Sequence, residues 1–428
     1  MTEQEIAGLG PAFASYLGRY RGCFGQKRTA AHFDTYCRGL LSDLPRKSVE
    51  PIALEAGTAV RTLQEFLVTA RWDQEAARTK LQRDLAAAVA EIPDDAVGTV
   101  GVIDETSCQK WGAHTPGVQR QYLGCVGKVD NGIVTVHVGV AKGNFQALLD
   151  AELYLPQSWA ADRDRCRGAG IPATVGYQPK WRLALDQVIR LADNGLSFDW
   201  LVFDEGYGAA VPFLQILCLV GQKFVAEVPV NFAVRTWAAG KSQRADERLT
   251  AADARRGRKH RLAHRTVRDS VWRVRSATVW VAGRRHTLIV AINESTAEVK
   301  YFLTNATGEP LARVLAVAFR RWTVEQAFRL AKQEAGLMHY EGRDYIGLTR
   351  HLLLALIVLG FVAAQTERLR GEKPAGDGRA SMPGAQPSLC GSVPPSPGRP
   401  GIAAHEPSHR LPPAPQPTGH EVAQETAA

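Results

Sequence analysis

Glu325 lies in the stretch AFRRWTVEQAFRLAKQE, with Arg321 four residues before it and Lys332 seven after. On a helix turning about 100° per residue, the three positions share one face. An acid between two cations at that spacing has two readings. One is a solvated, salt-bridged face. The other is a metal-binding carboxylate flanked by cations that hold phosphates. Two more acids close apolar runs: Asp104 ends VGTVGVID and Asp204 ends FDWLVFD. A lone Asp at a strand end is most often a turn or cap residue. Together, three carboxylates from two strands and a helix make a hard-oxygen donor set of the kind Mg²⁺ takes. Two such ions activate water and stabilise a leaving oxygen. Glu105 and Glu205 adjoin the two Asp residues. Strand alternation sends neighbours to opposite sides, so each pair should supply one ligand.

The elements that must carry these residues can be read from the pattern. Residues 1–95 are rich in Ala, Leu, Glu, Gln and Arg at helical spacing, which predicts a helical N-terminal domain. Its Arg21, Lys27, Arg28, Arg46 and Lys47 suit either DNA binding or an ordinary helical bundle's surface. From 96 to 230 strands at 97–104, 120–128 and 132–143, the last two joined by a turn at Asp130-Asn131-Gly132, precede a helix over 179–195 and strands at 198–204 and 222–230. That is an α/β order, with two acids past the ends of apolar strands, where open α/β sheets hold ligands. Residues 231–312 alternate apolar and polar residues around a turn at Ala282-Gly283-Arg284, which predicts a β-rich insertion. Its cationic stretch RRGRKHRLAHR, with Trp237, Trp272 and Trp280, reads as a solvated loop beside core tryptophans or as a DNA-distorting surface. Helices return over 313–370. The run LLLALIVLGFVAA is short for a bilayer span and reads as a buried helix, with His351 just before it in a packing or surface role. Residues 371–428 hold about half of the 23 prolines and no aliphatic pattern, which predicts a disordered tail.

Composition sets wider bounds. The chain has 428 residues, 45% of them hydrophobic, ample for a large core. Lys plus Arg number 52 against 43 acids, a net charge of +9 that favours an acidic partner. Seven scattered cysteines form no C-x-x-C pair, which argues against a zinc site and suits a reducing cytosol. MTEQEIAGLG has no basic-then-apolar signature of a secretory leader.

Four stretches carry a resemblance to a known family: GVIDETSCQKWGAHTPGVQRQYLGCVGK, LLDAELYLPQSWA, WLVFDEGYG and RRWTVEQAFRLAKQEAGLMHYEGRDYIGLTRH. Over roughly 15–365 the chain resembles the DDE transposases of bacterial insertion sequences, in the group with a Tyr-Arg-Glu-Lys signature. The resemblance implies a ribonuclease-H-like catalytic core with a β-rich insertion before the last acid. It implies Asp104, Asp204 and Glu325 as the catalytic, metal-binding triad, with Mg²⁺ (Mn²⁺ as a substitute). Arg321 and Lys332 match the signature's Arg and Lys as phosphate contacts, while its Tyr position is Ala318. Arg120 and Tyr122 read as a strand-borne DNA contact or as outward-facing strand residues. The implied activity is cleavage and strand transfer of double-stranded DNA at inverted-repeat ends, by a cytoplasmic, nucleoid-associated homodimer with no membrane partner. A DNA-binding remnant and a metal-dependent nuclease without strand transfer are the alternatives; the basic charge disfavours a glycosidase.

Overall fold

The computed structural model describes residues 3–262 and 270–371. The end of the cationic stretch and, past residue 371, the tail lie outside the described residues. Five helices come first: α1 (Glu3–Gly18), α2 (Lys27–Leu41), α3 (Val49–Glu55), α4 (Val60–Val68) and α5 (Gln74–Ala90). The start of α5 is fixed by Asp73, whose carboxylate accepts the Ala76 N–H at 2.8 Å. Four strands follow, β1 (Val100–Gln109), β2 (Gln119–Leu123), β3 (Lys128–Lys142) and β4 (Phe145–Leu153). Then come α6 (Gln157–Ala161), α7 (Arg163–Gly168), α8 (Lys180–Asp193), β5 (Trp200–Phe203), α9 (Glu205–Gly208), α10 (Val211–Leu219) and β6 (Phe224–Val228).

The β-rich segment that follows contains β7 (Ala233–Arg235), β8 (Ser242–Arg244), α11 (Ala245–Arg248), α12 (Ala251–Arg255), β9 (Arg258–Leu262), β10 (Ser270–Val281), β11 (Arg284–Asn293) and β12 (Val299–Thr304). The hairpin of β10 and β11 turns at Ala282 and Gly283, both in the left-handed region, as its sequence predicts. Helices α13 (Leu311–Phe319), α14 (Arg321–Glu334) and α15 (Tyr345–Gly371) close the described chain.

The described strands form one mixed sheet, in the order β2-β3-β1-β5-β6-β12-β11-β10-β7-β8, with β4 also on β3 and β9 on β10. Strands β1, β5 and β6 are parallel; every other pair is antiparallel. The β-rich segment is therefore continuous with the α/β sheet through β6 and β12. Three sequence expectations change here. The first strand, expected to end at Asp104, runs on to Gln109 in pairing with β3, so Asp104 lies inside it. The segment Phe145–Leu153 is a fourth early strand. The expected turn at Asp130-Asn131-Gly132 lies within β3 instead. The chain reverses over 124–127, where Gly127 takes φ +67° at no steric cost. Asn131 uses its side chain to bind the Lys110 and Gly112 carbonyls.

Helix α15 is long and apolar enough to cross a bilayer by length and composition, yet most of it is buried against β4, α2, α4 and α5. The apolar run seen in the sequence is its centre. His351 is fully buried on this helix. The Gly336 carbonyl can only accept, so His351 Nε2 donates to it at 2.9 Å, and Nδ1 accepts from the Tyr36 hydroxyl at 2.9 Å. Burial pushes its pKa down from 6.5 to about 4. The stability this neutral ring contributes is present in full above pH 6.5 and is lost as pH falls toward 4, because the unfolded chain takes up the proton first. We expect the thermal midpoint to drop across that window. His351→Gln, less stable at pH 7.5, should lose a smaller further amount when melted over the same buffers. An equal slope in both chains would remove His351 as a source of the acid sensitivity.

A second buried polar cluster joins three elements. Asp150 on β4 accepts from Gln82 Nε2 on α5 and from Arg190 Nε on α8, each at 2.8 Å, and lies 3.6 Å from Arg78 Nε on α5.

Candidate active site

Register places two of the expected acids side by side. Ile103 pairs with Phe203 and Phe203 with Ala226 across the parallel strands β1, β5 and β6. The next residue on each strand's chain is Asp104, Asp204 and Glu227 in turn. Asp104 is buried, and its Oδ1 accepts the Glu105 N–H at 2.8 Å. Burial pushes its carboxyl up to about 7; Arg321 opposes that rise and Asp204 adds to it. Glu105 points the other way and pairs with Lys180 of α8 at 2.7 Å, as strand alternation requires. Asp204 Oδ1 accepts from the Gly206 and Tyr207 amides at 3.0 and 3.3 Å. Backbone amides thus anchor one oxygen of each Asp. Glu205, which begins α9, is exposed. The turn is pressed on β6: a Cβ on Gly208 would lie 1.9 Å from the Glu227 carbonyl oxygen, so only glycine fits there.

Helix α14 packs on β1, β3 and β4 through buried Phe328 and Ala331, with the Phe328 ring 4.9 Å from that of His137. That seating fixes the face bearing Arg321, Glu325 and Lys332. Arg321, with 15% of its side chain exposed, reaches Asp104 Oδ2 at 3.3 Å, Glu227 Oε2 at 3.5 Å and Glu325 Oε1 at 3.8 Å. Burial works against its charge, but Asp104, Glu227, Asp204 and Glu325 outweigh it and hold its pKa above the ordinary value. Glu325 is 59% exposed. Lys332 is half-buried, and burial lowers its pKa against the pull of Cys125, Cys108 and Asp104.

Not every expected residue joins the cluster. Arg120 and Tyr122 are exposed on β2, with β3 between them and β1. Lys47, read as a DNA-binding or bundle-surface cation, is buried; its ammonium donates to the Glu334 carbonyl at the end of α14, and its N–H to His339 Nδ1 at 3.0 Å. Arg46 pairs with Glu341. These two residues therefore tie the α2–α3 connection to the end of α14. Trp272 is also core: it is fully buried, with its indole N–H donated to Ser270 Oγ at 2.9 Å. Trp237 is exposed at the β7–β8 turn, and Trp280 is partly buried. Glu227 is the acid that sequence reasoning missed. Its only signal was a charge inside the apolar run FVAEV.

Among the described residues no three His, Cys, Asp or Glu side chains stand at metal-holding spacing. The donor chemistry nonetheless fits a hard divalent cation. Asp104 and Asp204 are acids only, each with one oxygen amide-bonded, and Asp204 Oδ2 takes no hydrogen bond among the described residues.

A mixed α/β sheet with Asp104 where the parallel pairing of β1 with β5 ends, and Asp204 just past β5, is consistent with a DDE nuclease. The chain belongs to the DDE superfamily endonucleases, whose family model matches residues 19–288, more than half of its length. Members generally use divalent metals. Asp104 and Asp204 fall inside the matched span and Glu325 beyond it. The chain is also similar to the probable transposase for insertion sequence element IS701 of Microchaete diplosiphon. The two are 31% identical over 222 residues, 51% of this chain and 54% of that protein. The match thus spans about half of the relative's length.

Proposed function

We propose that this chain is an insertion-sequence transposase that cuts double-stranded DNA at inverted-repeat ends and joins the freed 3′ end to target DNA. The observation that carries the reading is the adjacency of Asp104 and Asp204 in register, with Arg321 of α14 bound to Asp104 and Glu325 one turn along the same helix. The order β4-β3-β1-β5-β6, antiparallel then parallel, supports a ribonuclease-H-like core over 96–230 and 313–370. In this reading residues 231–312 are the insertion, and 1–95 a helical DNA-binding domain with exposed Arg21, Lys27 and Arg28.

Asp104, Asp204 and Glu325 are the residues that would hold Mg²⁺, or Mn²⁺ in its place. A divalent cation held there supplies Lewis-acid stabilisation of the leaving oxygen and eases deprotonation of the attacking water. The chain's own residues do the positioning. Backbone amides fix one oxygen of Asp104 and one of Asp204. Lys332 makes no ion pair among the described residues, and it is set to hold a phosphate on the strand being cut. Arg321 shares its guanidinium between the acids and a second phosphate. Arg120 and Tyr122, exposed on an edge strand, are contacts for more distant DNA. The working assembly is a homodimer on DNA, in the cytoplasm at the nucleoid.

The test is cleavage of a plasmid carrying the DNA that flanks this gene, in Mg²⁺ or EDTA, by wild type and Glu325→Gln. Metal-dependent breaks at the repeat ends, at least a hundredfold fewer in the variant, are expected. Breaks without joined products would favour a nuclease lacking strand transfer. Binding of ends without any break would leave a DNA-binding remnant.

A further inference from the structure

Glu227 is third in the row that begins with Asp104 and Asp204, and it is tied to two cations. Its Oε1 accepts from Lys300 Nζ on β12 at 2.6 Å, and Arg321 Nη2 donates to its Oε2 at 3.5 Å. Arg321 Nη1 donates onward to Asp104 Oδ2 at 3.3 Å. Lys300, Glu227, Arg321 and Asp104 thus form a chain of alternating charge, each side chain 16% exposed or less. We propose that Glu227, backed by Lys300, is a positioning residue that fixes the Arg321 guanidinium beside Asp104.

The physical case rests on the shape of arginine. A guanidinium held at one nitrogen swings about that contact, while carboxylates at two different nitrogens fix its plane. Asp104 on β1 takes one terminal nitrogen and Glu227 on β6 the other, so the group spans β5, which lies between those strands. Without Glu227 the planar group would rotate toward Asp104 or toward Glu325, the acid one turn along its own helix. Lys300 gives the arrangement its direction. It occupies Glu227 Oε1 and leaves Oε2 for Arg321. Lys300 belongs to the last strand of the insertion, so the insertion reaches the acids through a side-chain contact as well as through the sheet. Glu227 touches neither Asp104 nor Asp204 by hydrogen bond among the described residues, so it acts through Arg321.

The inference deepens the nuclease reading and rests on it only for what a fixed Arg321 does to DNA. The test is a double-mutant cycle on the full chain with Glu227→Gln, Arg321→Gln and their combination. Thermal unfolding is the first readout and needs no activity. The two single shifts should fail to add, the double variant melting no lower than the worse single. Single-turnover cleavage of pre-bound end DNA is the second. Glu227→Gln should cut about tenfold to a hundredfold more slowly, with end binding within about threefold of wild type. Lys300→Met should follow in the same direction by less, and the double variant should be no slower than Arg321→Gln alone.

Additive melting shifts would overturn the proposal, as would wild-type cleavage by Glu227→Gln. A double variant far slower than Arg321→Gln would make Glu227 an independent participant and also overturn it. A wild-type chain that cuts no DNA sinks the nuclease reading instead. The melting cycle then still decides whether Glu227 holds Arg321.

Discussion

On the proposed reading, Asp104→Asn should stop strand cleavage and leave binding of end DNA in place. Asparagine retains an oxygen for the Glu105 N–H, so the local backbone has no reason to move. It replaces the other oxygen with an amide that donates, and so loses both the charge that a hard cation needs and the acceptor that faces Arg321. Losing several kcal/mol of transition-state stabilisation means a rate loss of roughly a thousandfold or more. In that reading binding rests on phosphate neutralisation by cations elsewhere, so affinity for end DNA should change by less than about threefold. Mobility shift and single-turnover cleavage on the same preparation separate the two. Cleavage at even a tenth of the wild-type rate would take Asp104 out of the chemistry.

The largest expected effect on stability lies away from the site. Asp150→Ala removes the one carboxylate to which Gln82, Arg190 and, at longer range, Arg78 all turn. Asp150 is 1% exposed and Gln82 fully buried, so water does not replace the lost acceptor. Removing one partner of a buried ionic pair costs about 3–5 kcal/mol, because the remaining charge stays behind unpaired. Arg190 keeps Glu152 as a second partner, which places the expected loss at the lower end of that range. Asp150→Asn, which keeps the shape and one acceptor, should lose less. Denaturant unfolding of the three chains measures this. A loss below about 1 kcal/mol in the alanine variant would show that α5, β4 and α8 do not depend on this contact.

What the sequence disclosed, and what it hid, follows the range of the interactions involved. Strands β1 and β5 were readable because an apolar run ending in an acid is a local signal. The face of α14 was readable because helix spacing is fixed by geometry, whatever the helix packs on. Glu227 escaped because one acid in a short strand looks like any outward-facing residue. Its meaning depends on Arg321 and Lys300, both distant in sequence. Lys47 looked like a surface cation, since nothing near it in sequence announces the Glu334 carbonyl that it meets. The Asp130-Asn131-Gly132 turn was misread for a related reason. Asn-Gly signals a hairpin locally, but pairing with β2 keeps those residues extended, and Gly127 turns the chain instead. The β-rich character of residues 231–312 was legible, yet the segment's union with the main sheet rests on pairing between Val228 and Tyr301, which no local pattern encodes.

That union bears on how the chain is made. As the polypeptide leaves the ribosome, β6 can lean on β5 at once, but its other edge has no mate until β12 has been synthesised. Throughout that interval a run as apolar as Phe224-Val225-Ala226 presents open backbone donors and acceptors, the kind of edge on which nascent chains stick to one another. Glu227 puts a charge on this open strand before Lys300 and Arg321 exist to meet it.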